Sequence, residues 1–454
     1  FYEWSLILPL AIPPYILAYT FTGLFDPYGD ANNFVRSIFN LGPNISVFPN
    51  VRNIYGAIVV FSFTLYPYVY LVSRSAFLNQ PKSMKESARL LGLSEVGVFF
   101  KLALPIIRPA AIGGLMLVIM ETISDFGAVD HFAIQTFTTG IFRTWHGMYD
   151  LQTAMQLASI LLLIVGIFYI LERNSRDKAA FTFNDSSFTS EEAVKLTKLK
   201  SSLLFFVCFI PLFIGFILPI LELALWAFES KSSFFDQKFL QTSFNSISLA
   251  IVAGLVSAFL AVMINFSIRF KPISFIKRLS SLLSIGYAVP GLILAVGMVQ
   301  LLVYLDNNLF TSMDLVLTGS LFGLLLAYII KTYALANSSI EAGYESITSS
   351  MDDSSKLLGS SGWGMLIRVH SPLLKTSVLT AILLVISEVV KELPATLILR
   401  PFNFETLAVS TYIYAAEERM YQAASPAIAI VLIGLIPIFF LSKMIRSSNK
   451  QNNG

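Results

Sequence analysis

Two acidic pairs lie inside long apolar runs: Glu121 with Asp125, and Glu388 with Glu392. An ionisable group at membrane depth is costly, so it points either to function or to a buried structural partner. Within each pair the spacing is four residues, which on an unbroken helix puts both carboxylates on one face. Paired hard oxygens suit a trivalent cation, by extension of the rule for hard divalent ions. Two structural uses compete with ion contact: a hydrogen bond to a neighbouring helix backbone, or a cap on a broken helix. "KELP" at 391–394 places a helix end near Pro394, and Lys391 can neutralise Glu388 or Glu392. His131, His146 and His370 are too scattered to predict a metal centre, and the single cysteine, Cys208, excludes an internal disulfide. The chain contains no G-x-x-x-x-G-K-[ST] stretch that would cradle ATP phosphates, and no nucleophile–base constellation. These features favour binding or transport over catalysis, and nothing points to nucleic acid.

The elements that must position these carboxylates are membrane helices. Charged residues make up 13% of the chain and hydrophobic ones 55%, against about 25% charged in soluble domains. Windows of membrane-spanning length fall at 4–25, 54–77, 104–126, 153–171, 202–228, 243–268, 280–304, 315–338, 373–395 and 426–445. One set of intervening loops carries 19 Lys and Arg and the opposite set 7, so the richer set is cytoplasmic. Arg143, Arg400, Glu405, Glu417 and Glu418 then fall on the outer side, as solvated loop charge or as contacts for an external partner.

An internal repeat runs through the chain at an offset of 267 residues. Of the 39 positions in 83–121, 13 are identical to those in 350–388, including Leu90, Leu91, Gly92, Pro105 and Glu121. Each copy is followed by two spans, so the halves are parallel copies. The predicted organisation is a first half at 1–171, a polar cytoplasmic linker at 172–200, a second half at 201–446 and a polar tail at 447–454. "AIPPYILAY" at 11–19 corresponds in type to "AVPGLILAV" at 288–296. On that match the first half has two spans fewer than the second, and the sequence is expected to lack two N-terminal helices.

The most conserved part of the repeat is a polar elbow: "SMKESARLLGLSEVGVFFKLALP" at 83–105 and "SMDDSSKLLGSSGWGMLIRVHSP" at 350–372. Ser83 with Glu86 and Ser350 with Asp353 have capping-box spacing. Gly92 and Gly359 suit left-handed helix ends, and Ser94 and Ser361 suit the start of a second helix. Pro105 and Pro372 mark the entry into the bilayer. Glu86, Ser87 and Arg89, or Asp353, Ser354 and Lys356, face the cytosol. Two equivalent elbows suit a symmetric partner with two sockets.

These stretches resemble the EAA loop of ABC importer permeases. Glu86, Ala88, Gly92, Leu104 and Pro105 match its pattern, with Ser87 in place of the middle Ala and Leu102 in place of Ile. The second copy is looser, with Asp353, Ser354, Ser355, Gly359, Val369 and Pro372 keeping the spacing. Residues 65–78, 120–145 and 391–418 are similar to fused, two-half ferric iron permeases, and the likeness extends over essentially the whole chain. The resemblance implies an all-α polytopic fold of the type I ABC importer class, in a multi-pass inner-membrane protein. It implies that Glu86, Ser87, Ala88 and Gly92, with Asp353, Ser354, Ser355 and Gly359, dock into two copies of an ATPase subunit. That subunit would bind the ATP and magnesium, and this chain would hold no cofactor. A periplasmic binding protein would deliver cargo, with Glu121, Asp125, Glu388 and Glu392 along the pathway. Permeases for thiamine, phosphonates, sulfate or spermidine share the motif, so the cargo stays open at this point, and a secondary transporter is the competing class.

Overall fold

The computed structural model describes residues 2–78, 80–182, 197–230, 236–270, 273–308 and 316–451. Residues 183–196 of the predicted linker therefore lie outside the described residues, as does the end of the predicted tail. Among the described residues the secondary structure is helical, with no strand. Among the described residues nine helices are long and apolar enough to cross a membrane, and the pair Tyr2–Ala11 and Pro14–Phe39, bent by 88°, makes ten if it is one broken span. All ten predicted windows find a counterpart.

One window is displaced. The apolar run at 280–304 is not continuous: a helix ends at Ile285, a short turn covers Gly286–Ala288, and the span proper begins at Gly291. Pro290 causes the break, because it has no N–H to donate and forces Val289 into extended backbone, ψ 123°. Ile12, ψ 113°, precedes Pro13 after another short helical turn. The sequence match between 11–19 and 288–296 is thus also a match of local structure.

The chain forms two compact units. One comprises residues 1–138 and 159–221, the other 139–158 and 222–454. Helix Leu151–Thr182 runs eleven residues beyond the predicted span end at 171.

In the first unit, α1 (Ile54–Leu78) is followed by α2 (Lys82–Leu90), α3 (Glu95–Val98), a π-turn over Phe99–Ala103, and α4 (Leu104–Ser124). The short helix α5 (Gly127–His131) comes next. Helices α1 and α4 pack closely, and a Cβ on Gly114 would stand 2.9 Å from the Val69 Cα. Lipid tails are as apolar as leucine, so such close backbone approach replaces the hydrophobic driving force of water-soluble cores.

The second unit contains α6 (Gln237–Phe270), α7 (Leu321–Glu345), α8 (Ser349–Leu357), α9 (Trp363–Met365), a π-turn over Leu366–His370, α10 (Ser371–Val390) and α11 (Pro394–Leu399). Helices α6, α7 and α10 pack mutually. Along α6 the buried face is Ala250, Ala253, Gly254, Ser257, Ala258 and Ala261, a small-residue spacing that lets helices approach. Helix α7 begins 267 residues after α1, α8 after α2 and α11 after α5, so the sequence repeat is a repeat of structure.

Both π-turns have the same cause. Pro105 and Pro372 cannot donate, and their rings would clash with the carbonyl four residues back. The preceding residue bonds five back instead, Leu104 N–H to Phe99 O and Ser371 N–H to Leu366 O, and the widened turn accommodates the ring.

The expected caps are only partly present. Helix α2 starts at Lys82 after Pro81 and α8 at Ser349 after Thr348, neither with a side-chain cap. Ser83 and Ser350 are already inside the first turn, where they accept from Ser87 Oγ and Ser354 Oγ through their carbonyls. No capping box forms at either site, because helix begins before the serine. Ser94 does cap α3, accepting from Gly97 N–H at 3.2 Å. Ser361 caps nothing with its side chain, since Gly362 at φ +54° intervenes before α9.

Replacing Gly114 with Leu should lower the thermal midpoint of the detergent-purified protein, consistent with overpacking costs of about 1–3 kcal/mol. Light-scattering or dye-based unfolding curves check this, and the same substitution at Gly113, which has open space around it, should be milder.

Candidate functional site

Each elbow is a helix, a left-handed glycine and a second short helix. Gly92 has φ +85° and Gly359 φ +80°, a region open to glycine and strained for other residues. Around each, the chain closes with paired backbone bonds: Leu93 N–H to Ala88 O and Gly92 N–H to Arg89 O, then Ser360 N–H to Ser355 O and Gly359 N–H to Lys356 O. This satisfies the last carbonyls of α2 and α8.

The same turn decides what is exposed. Glu86, Ser87, Arg89, Asp353, Ser354 and Lys356 are exposed, whereas Ala88 and Ser355 face inward at the equivalent position. Neither inward side chain is large, as close packing within each elbow requires. Leu90 and Leu91 are 89% and 86% exposed, and Leu357 and Leu358 are likewise 89% and 86% exposed. Two identical bare leucine pairs on otherwise polar elbows are the sequence feature that identity alone did not interpret. Burial of one leucine side chain is worth about 1.5–3 kcal/mol, so the four together are a large unspent binding surface.

The carboxylates are arranged differently from the sequence expectation. Helix α4 stops at Ser124 and α10 at Val390, so each pair straddles a helix end instead of sharing a helical face. Asp125 Oδ1 accepts from the N–H groups of Ala128 and Val129 at 2.9 and 3.1 Å, capping α5. Glu392 Oε1 accepts from Ala395 N–H at 3.2 Å, at the start of α11. A carboxylate there satisfies orphan donors and complements the positive end of the helix. Capping is thus the observed role of one member of each pair.

The second pair is also neutralised. Lys331 pairs with Glu392, and Lys391 pairs with Glu388 at 2.9 Å. Glu392 is 6% exposed, and a Cβ on Gly291 would collide with its Oε1. The equivalent positions in the first half are Thr64 and Ser124 instead of lysines. Sequence reasoning noticed Lys391 and missed Lys331, sixty-one residues before Glu392, whose signal was its place inside an apolar span.

The histidines lie apart. His131 Nε2 stands 3.0 Å from Thr22 Oγ1, His146 stacks on Phe142, and His370 bonds Asp352. No group of three or more potential metal ligands occurs among the described residues. In the loops predicted to face outward, Glu405 pairs with Lys238 at 3.4 Å, Glu417 with Arg419 at 3.0 Å, and Arg400 donates to Phe404 O. Arg143 and Glu418 are exposed there as well.

Residues 1–171 match the family model described as a binding-protein-dependent transport system inner membrane component. The chain is 26% identical over 453 residues to the Fe(3+)-transport system permease protein FbpB 2 of Haemophilus influenzae, covering 98% of this chain and 82% of that protein. The chain is an inner-membrane permease of binding-protein-dependent ABC transport. It is the transmembrane component and not itself the catalyst. The permease is also 28% identical to the molybdenum transport system permease protein ModB of the same organism, over 28% of this chain and 55% of that one. A crystal structure of a bacterial alginate ABC transporter, in complex with an alginate pentasaccharide-bound periplasmic protein, covers 56% of this chain and 97% of its own at 16% identity and a TM-score of 0.43.

In the permease, substituting Lys331 with Met should leave Glu392 buried without its cation, at a cost of about 3–5 kcal/mol. Adding Glu392→Gln should recover most of that loss. Thermal unfolding of the two variants in detergent distinguishes an ion pair that holds the fold from one that is dispensable.

Proposed function

We propose that this permease imports ferric iron, delivered by an extracytoplasmic binding protein and driven by two cytoplasmic ATPase subunits seated on the elbows. The carrying observation is the matched pair of bare leucines, Leu90–Leu91 and Leu357–Leu358, each ending a polar helix at a left-handed glycine. Exposed apolar anchors ringed by polar groups are what a protein socket recognises. Glu86, Ser87, Asp353 and Ser354 form the polar rim, while Ala88, Ser355, Gly92 and Gly359 give each elbow its shape. ATP and magnesium belong to the partner, whose closure displaces the elbows and the helices joined to them, opening the pathway by alternating access. The domain plan is two parallel halves around a cytoplasmic linker.

Similarity over nearly the whole chain to an Fe(3+)-transport permease supports the cargo. Glu388 and Glu392 each have a lysine partner, and Asp125 caps α5. Transient contact with a passing cation is proposed for Glu121, Asp125, Glu388 and Glu392, beside those structural roles. A high-affinity metal site is not needed where a binding protein has already selected the cargo.

Replacing Leu90 and Leu91 with Asp, or Leu357 and Leu358, should abolish copurification of the ATPase while leaving the permease in the membrane. In proteoliposomes with ATPase and binding protein, ferric iron should stimulate ATP hydrolysis and accumulate inside. Glu121→Gln and Glu388→Gln should each slow that uptake more than they lower the amount of permease in the membrane. Stimulation by molybdate and not by ferric iron would reassign the cargo, and uptake driven by an ion gradient without ATP would remove the importer reading.

A further inference from the structure

The second elbow is fastened to the helices above it through a buried carboxylate. Asp352, in the first turn of α8, is 6% exposed although it belongs to the most polar segment of the second half. Arg269, in the last turn of α6, donates through Nε to Asp352 Oδ2 at 2.7 Å. The same guanidinium donates to Tyr344 O at 3.1 Å and Ile347 O at 2.7 Å. One side chain thus satisfies carbonyls at the C-terminal end of α7 and grips the next helix.

The other carboxylate oxygen of Asp352 is 2.9 Å from His370 Nε2. His370 is completely buried and sits in the π-turn before α10. Its ring is enclosed by Phe266, Phe270 and Tyr344, with centroids 5.6, 5.6 and 5.5 Å away. Nε2 is assigned as the donor, since a carboxylate facing Arg269 is an acceptor. Nδ1 has no hydrogen-bond partner, and an unpaired acceptor on a neutral ring costs less than an unpaired N–H. Burial opposes the charge on Asp352, but the bonds from Arg269 and His370 outweigh it and hold the carboxyl below the usual aspartate range.

Lys85 and Ala103 occupy the corresponding positions of the first half. There, in the turn before α4, Gln80 Nε2 donates to Ala103 O at 3.0 Å.

We infer that Arg269, Asp352 and His370 form a latch that makes the second elbow rigid with α6, α7 and α10, so that ATPase movement at that elbow enters the membrane without being lost in a loose joint. These are positioning residues. They touch neither cargo nor ATPase, and act by preventing α8 from tilting independently of the helices above. The inference rests on the elbows being ATPase sockets, as proposed above. A buried carboxylate joined to a guanidinium is costly to break from one side, which suits a joint that must transmit force without yielding.

The test uses the full permease reconstituted with its ATPase and binding protein, reading cargo moved per ATP hydrolysed. Asp352→Asn and His370→Ala should lower that ratio at least ~5-fold, as loss of an interaction with a buried charge does. ATPase stoichiometry on the complex should be unchanged. His370→Gln, which can still donate to Asp352, should recover most of the ratio. Hydrogen exchange at the amides of 349–357 should be faster in Asp352→Asn than in the unaltered complex, a reading available even where transport of that variant is too weak to follow. An unchanged ratio in both loss variants, or exchange at 349–357 unaltered by Asp352→Asn, overturns the latch. Failure of the unaltered permease to bind an ATPase at all would instead overturn the socket reading.

Discussion

A backbone reversal that only glycine adopts without strain governs this permease. At Gly92 and Gly359 the chain enters positive φ, ends a helix, and turns back with its last carbonyls satisfied. Any other residue there would strain the backbone by about 1–2 kcal/mol. The reversal is what leaves a leucine pair standing in solvent and brings the following residues to a proline at the membrane entrance. Without it, α2 and α8 would run on, and the leucines would fall at arbitrary angles.

Above the elbows a different constraint rules. In lipid, every backbone donor and acceptor must find a protein partner, so each break in a span needs a local remedy. The π-turns before Pro105 and Pro372 are one such remedy. The carboxylates Asp125 and Glu392 are another, satisfying the first donors of the short helices that follow. Acidity at membrane depth is therefore explained first by architecture. In the second half Lys331 and Lys391 also neutralise the acidic pair.

Much of this was legible in the residues. Ten apolar windows, the repeat at 267 residues and the two left-handed glycines follow from hydropathy and from the one residue without a Cβ. The start of each elbow helix did not follow: Ser83 and Ser350 had capping spacing, but nothing local marks the helix as starting earlier, at Lys82 and Ser349. The acidic pairs misled because four-residue spacing implies a shared face only while the helix continues, and it ends between the partners. Partners distant in sequence were the real blind spot. Asp352 looked like a solvated charge in a polar loop, and only the fold brings Arg269 and His370 to it from 83 and 18 residues away.

Coupling in this permease requires that both leucine-tipped elbows seat in a motor subunit. The most direct measurement is site-specific crosslinking in a Cys208→Ser background, with Leu90→Cys and Leu357→Cys introduced separately and the partner ATPase carrying cysteines around its surface groove. Both positions should crosslink to an ATPase subunit, with a yield that changes when ATP is added. Crosslinking at neither position, in a complex that still moves cargo at the expense of ATP, would contradict it.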